Sequence, residues 1–212
     1  MAFTGWPKEA IDFFVGLEAD NSKDYWQSNK AVYESAVRAP MDALLAALAK
    51  DFGETKVFRP YRDVRFSRDK TPYKTSLAAT LSRGGYLSFS ADGLSAAAGY
   101  WQMATDQLDR YRRAVDDETS GVAIQRLVDS ARRKGMEAGG HGELRRAPKG
   151  YPADHPRIEL LRAKGLTVWQ SWAAGSWLST AEPKKRVAAF FRAARPMTSW
   201  LDEHVGPSTV VD

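Results

Sequence analysis

Apolar residues open the chain at helical spacing. In "WPKEAIDFFVGLEAD", Ala10, Phe13, Phe14 and Leu17 fall every three or four positions and share one helix face, and Pro7 stands where a helix start tolerates a missing N–H. Ser22 is placed to cap "KDYWQSNKAVYESAVRA", whose Trp26, Val32, Tyr33 and Val37 repeat at a turn and a half, then one turn. Pro40 predicts the opening of a third helix that points Met41, Leu44, Leu45 and Leu48 inward, with Gly53 as its stop. Aromatic stripes at this spacing read as core rather than as a ligand box.

The period then shortens. "VFRPYRDVRFS" and "TSLAATLSRGGYLSFSADGLSAAAGYWQ" alternate apolar and polar positions, with turn signals at Gly84-Gly85 and Asp92-Gly93. In "YLSFS", Leu87 and Phe89 belong to one face and Tyr86, Ser88 and Ser90 to the other. The small residues of "LSAAAG" leave room for another backbone or a ligand. Amphipathic helical spacing returns in "DQLDRYRRAV" and "GVAIQRLVDSARRKG", with Thr105 and Ser120 as candidate caps and Gly135 as a stop. A Trp-rich turn with Trp169, Trp172 and Trp177 precedes a last helical stretch. Helices, strands, then helices predict an α+β fold: an antiparallel meander of about four strands in the middle, flanked by N- and C-terminal helices.

Length and composition narrow the class. A chain of 212 residues, 43% hydrophobic and with seven tryptophans, fits one compact domain over residues 1–212 with a substantial core. Without cysteine there is no disulfide, thiol nucleophile or cysteine-bound metal. The N-terminus lacks a cationic segment followed by an apolar run, and no long uncharged stretch follows, so the expectation is a cytoplasmic protein with no membrane partner. His141, His155 and His204 are widely spaced and lack partners at metal-ligand intervals, so no metal site is expected. Walker A, G-x-S-x-G and dinucleotide-type glycine motifs are missing, and the sequence specifies no catalytic residue, cofactor or oligomeric state.

Charge adds a location. The formal net charge is +5. Residues 59–74 carry six Lys and Arg against two carboxylates, and residues 141–164 carry six against three. Two such stretches form a cationic cleft if they meet, and solvated loops if they do not. If residues 58 to 66 are extended, Arg59, Tyr61, Asp63 and Arg65 project to one face, with Asp63 between two guanidinium groups. Beyond them "SRDKTPYK" must turn, presenting Lys70, Tyr73 and Lys74 from a loop. Arginine forks, a lysine and a phenol suit phosphate or carboxylate; the same spacing suits an internal ion-pair network. His155 in "PADHP" serves either as a general base beside Asp154 or as a cap for the helix that follows.

Two functional classes follow. One is a binding protein or enzyme for a small anionic ligand, held by Arg59, Arg62, Arg65 and Lys70, with Asp63, Tyr73 or His155 available for proton transfer. The other, less favoured because the net charge is low, is a nucleic-acid or protein interaction module whose basic loops meet phosphates while exposed aromatic residues stack on bases.

The string Arg59, Arg62, Asp63, Arg65, Phe66, Lys70, Tyr73 resembles the signature RxxRDxRFxxxKxxY of an uncharacterised bacterial family, domain of unknown function 2461. "FTGWPKEAIDFFVGLEADNSKDYWQSNKAVYE" is similar to that family's N-terminal helical pair, and "GELRRAPKGYPADHPRIELLRAK" to its second shared block, with Lys149, Gly150, Tyr151, His155 and Pro156 in place. The resemblance implies that both basic stretches belong to one shared arrangement. It assigns no activity.

Overall fold

The computed structural model describes residues 2–210. The strands β1 (Thr55–Val57), β2 (Ser76–Leu81), β3 (Gly85–Ser90), β4 (Gly93–Tyr100), β5 (Glu137–Gly140) and β6 (Leu166–Ala173) form an antiparallel sheet in the order β1-β2-β3-β4-β6-β5. The first four make the predicted meander. The sheet is larger than expected because β5 and β6 come from the section read as helices and a Trp-rich turn. β5 reads Glu-Ala-Gly-Gly, which carries no strand signal, and Trp169 and Trp172 lie on β6 while Trp177 sits in a following 3-10 turn, Ser176–Ser179. The chain divides into two compact units, residues 1–96 with 171–189, and residues 97–170 with 190–212.

In the first unit, α1 (Lys8–Ala19) buries Ala10, Phe13, Phe14 and Leu17, the predicted face. It lies close against α2 (Lys23–Val32) because Gly16 has no Cβ: one built there would stand 2.1 Å from the Tyr25 hydroxyl, which donates to Phe13 O at 2.9 Å. The break expected at Pro40 is instead a continuous helical run. A π-helical segment, Tyr33–Arg38, joins α2 to α3 (Ala39–Phe52), and Ala39 N–H reaches back five residues to Glu34 O. Proline offers no N–H to Ala36 O, so a wider turn just before it passes the helix around the lost bond. Trp6 stacks on Phe89 of β3 at 4.4 Å between ring centroids, and Phe14 meets the same ring edge-on at 5.9 Å. Leu87 and Phe89 are buried and Tyr86 is exposed, as the alternation predicts. Gly93, with φ of 126°, lets Trp172 O approach to 2.2 Å of where a Cβ would stand.

In the second unit, α4 (Thr105–Asp116) and α5 (Glu118–Arg133) are followed by β5, α6 (Ile158–Arg162) and most of α7 (Glu182–His204). Neither Thr105 nor Ser120 caps a helix. Gln107 reaches back to Ala104 N–H at 3.0 Å, and Asp117 accepts from Thr119 N–H and Ser120 N–H at 2.9 and 2.8 Å. Gly135, with φ of 77°, ends α5 as expected. The core gathers Tyr111, Val115, Ile124, Val128, Leu161 and Leu201. Among the described residues no helix is long and apolar enough to cross a membrane.

Candidate functional site

The extended strand expected over residues 58–66 does not form. β1 ends at Val57, and residues 58–75 make a long loop whose stem is ladder-like: Phe58 N–H donates to Ala78 O at 2.9 Å, Lys74 N–H to Pro60 O at 2.8 Å, and Arg62 N–H to Pro72 O at 2.8 Å. Proline explains the irregularity. Pro60 and Pro72 supply acceptors but no donors, so the ladder keeps every other rung at most. Two features outside the loop hold the stem. The Asn21 side-chain amide donates to Tyr73 O at 3.1 Å and accepts from Tyr73 N–H at 3.0 Å, doing for one residue what a neighbouring strand would do. The Tyr73 ring stacks flat on Trp26, centroids 4.4 Å apart and planes 7° from parallel, with Tyr61 against both. Tyr73 is thus buried in the stem, and burial pushes its hydroxyl pKa up.

Beyond the last rung, residues 63–71 are shaped by their own carboxylates. Asp63 accepts from Arg65 N–H at 3.2 Å and from the Arg65 guanidinium at 2.7 Å. Asp69 accepts from Thr71 N–H at 2.9 Å and from Arg62, which also donates to the Thr71 hydroxyl. Each carboxylate closes a two-residue Asx turn and holds one guanidinium. The Arg65 contacts hold the Asp63 carboxyl below its usual range, with Arg59 a lesser influence, and Arg62 brings Asp69 down to about 2. Lys70 Nζ donates to Val64 O at 2.9 Å, and Lys74 Nζ lies 5.5 Å from the Phe58 ring centre. Two of six cations are therefore tied to carboxylates. Arg59, Arg68, Lys70 and Lys74 have no carboxylate partner among the described residues, and Phe66 near the loop's apex is 97% exposed.

The second basic stretch belongs to the other unit and is built differently. A helix leaves its last four carbonyls without helical donors, and all four at the end of α4 are met. Asp117 N–H donates to Arg113 O at 3.0 Å, the Ser120 hydroxyl to Ala114 O at 2.7 Å, Arg157 Nε to Val115 O at 2.7 Å, and the Arg157 terminal nitrogen to Asp116 O at 2.9 Å. Arg157 is 6% exposed, and its charge also suits the negative end of the α4 dipole. Gly121 leaves space for it, since a Cβ there would lie 2.7 Å from Arg157 Nε. His155 accepts from Arg157 N–H at Nδ1, 3.0 Å away, which places its proton on Nε2, 3.2 Å from Asp116 rather than beside Asp154. The ring organises the turn that leads into α6. Tyr151 is half-buried, its pKa raised by burial first and by Asp116 next, and Lys149 is exposed. His141 lies between Trp101 and Trp169 at 3.7 and 5.4 Å, with Nε2 2.6 Å from the Thr167 hydroxyl.

Of the residues singled out from sequence, the structure gathers Arg59, Arg62, Asp63, Arg65, Lys70, Tyr73 and Lys74 on one loop, with Tyr73 buried, Arg62 and Lys74 half-buried and Arg59, Asp63, Arg65 and Lys70 exposed. Tyr151 and His155 accompany the end of α4. Three roles were not read from the sequence. The pairing of Asp69 with Arg62 spans seven residues, Arg157 looks like one more surface charge in "HPRIELLR", and no pattern marks Phe66 as outward.

No curated protein shows a significant match to the chain. A solved structure, a conserved hypothetical protein from Pyrococcus furiosus, is similar over 81% of this chain and 98% of its own, with 12% identity and a TM-score of 0.38. The family model described as "Conserved hypothetical protein (DUF2461)" matches residues 9–200, and the chain belongs to that family.

Proposed function

We propose that loop 59–74 is a recognition element for a partner bearing phosphate or carboxylate groups, and that its work is binding rather than chemistry. The observation that carries this reading is the division of charge within the loop. Both carboxylates are neutralised by arginines of the same loop, while Arg59, Arg68, Lys70 and Lys74 remain for an incoming anion on a stem fixed by Trp26 and Asn21. An element prepared in this way loses little further entropy on binding. Proton transfer is poorly served. Asp63 is held ionised by Arg65, and Tyr73 is buried with a raised pKa.

A structural role for the network coexists with this one, since the Arg62–Asp69–Thr71 contacts set the loop's shape. Titrating the protein with inorganic pyrophosphate or polyphosphate tests the binding role. Saturable binding that the double change Arg68→Ala and Lys70→Ala weakens at unchanged melting temperature is the expected result. Equal binding by wild type and the double variant places any anion site elsewhere.

A further inference from the structure

We infer that the anionic partner is a single-stranded nucleic acid whose backbone follows the loop cations and one of whose bases stacks on Phe66. This rests on the anion-binding reading of the loop and adds what a small anion leaves unexplained. A phenylalanine 97% exposed contributes nothing to folding, and inorganic phosphate has no use for an aromatic ring. The Arg65 guanidinium carbon lies 5.9 Å from the Phe66 ring centre, a cation–π arrangement that steadies the side chain at the apex. Tyr61, lower on the same loop, is also 48% exposed. Aromatic faces interleaved with cations are the means by which proteins hold unpaired strands, because every base has a π-face and every nucleotide a phosphate.

The distribution of charge favours a strand over a plane. Arg59 and Lys74 flank the stem rung at Pro60, whereas Arg68 and Lys70 lie past the last rung, so the positive charge runs along the loop instead of forming one level at its tip. A membrane surface would meet only the apex. One ring inserted there, with Ser67 and Asp69 beside it, gives weak anchorage. Duplex nucleic acid hides its base faces in the stack, which leaves Phe66 without a partner.

The test compares, by fluorescence anisotropy, a short labelled oligothymidylate with a duplex of equal length, and uses inorganic polyphosphate as competitor. Wild type should bind the single strand in preference to the duplex. Phe66→Ala should weaken single-strand binding about 5- to 160-fold, Phe66→Trp should restore it, and neither should alter the competition constant of polyphosphate. Arg68→Ala with Lys70→Ala should weaken both and lower the salt slope by about 1.4. Because Phe66 is exposed, its variants should keep the wild-type melting temperature. Equal affinity for single strand and duplex, or indifference to Phe66→Ala, overturns the inference while polyphosphate binding keeps the anion reading standing. Failure of both oligothymidylate and polyphosphate to bind sinks both. Phe66-dependent capture by phosphatidylserine vesicles without oligothymidylate binding assigns the loop to a lipid surface instead and also overturns the inference.

Discussion

The two basic stretches carry the same number of cations and put them to opposite use. In residues 59–74 Arg59, Arg65 and Arg68 are exposed, Arg62 is half-buried, and the two carboxylates are satisfied by arginines of the same loop. In residues 141–164 the decisive cation, Arg157, is buried, and its shorter contacts go to the backbone carbonyls that end α4, with the exposed Glu118 carboxylate a longer one at 3.3 Å. The C-terminal end of a helix carries a partial negative charge supplied by backbone carbonyls, and a count of Lys against Asp and Glu does not register it. Excess positive charge along a sequence therefore marks either cations left at the surface or a buried cation matched to backbone carbonyls.

Removing Arg157 gives the largest expected effect. Arg157→Ala strips charge-assisted donors from two carbonyls, each worth roughly 1.5–3 kcal/mol, and so costs about 3 kcal/mol or more. The melting temperature should fall by about 6–12 °C. A fall under about 2 °C would mean that water replaces the guanidinium freely and that the contrast between the stretches is overstated.

Gly121→Ala sharpens the same point from the other side of the contact. The added Cβ would stand 2.1 Å from Val115 O and 2.7 Å from Arg157 Nε, so the α4–α5 junction must open. The expected loss is about 1–3 kcal/mol. Since both changes damage one junction, their combination should cost less than the sum; additive losses in a chemical-denaturation cycle would uncouple Gly121 from Arg157.

On the exposed stretch the expectation reverses. Arg65 is 76% exposed at the side chain and paired two residues away, so Arg65→Ala should shift stability by less than about 0.5 kcal/mol. A loss near that of Arg157→Ala would show the loop's ion pairs to be part of the fold's support.

How much of this was legible follows the same division. The buried face of α1, the alternation in β3 and the stop at Gly135 are properties of short periodic segments, and the residues alone carry them. The α+β class followed from their order. The stretch around Pro60 read as a strand because arginine and tyrosine alternate with apolar residues, yet two prolines without donors thin the ladder beyond Val57 to a few rungs of the loop stem. Strand β5 was invisible because its neighbour β6, not its own composition, makes it a strand. The charged loop was legible as a loop beyond Ser67 but its inward and outward parts were not sorted: Tyr73 is in the core because Trp26, 47 positions away, lies flat against it. Contacts at such separation leave no local pattern.

The smallest effect concerns Asp69. Its ordinary carboxyl pKa near 3.8 is lowered to about 2, first by Arg62 and then by the Thr71 N–H, so the folded value lies below the unfolded one. The contribution is then complete above the unfolded pKa and disappears only as pH falls through about 2. At pH 3 an unperturbed aspartate is mostly protonated, whereas Asp69 should be only about a tenth protonated. Following its carboxyl carbon shift by NMR from pH 5 to pH 3 should give an almost flat trace. Arg62→Ala should return the midpoint toward 4 while leaving the Thr71 amide bonded to Asp69, because the Asx turn needs only the acceptor oxygen. A midpoint near 4 in wild type would mean that Arg62 and Asp69 part in solution. The loop would then present five cations without a carboxylate partner rather than four, and its internal neutralisation would rest on Asp63 alone.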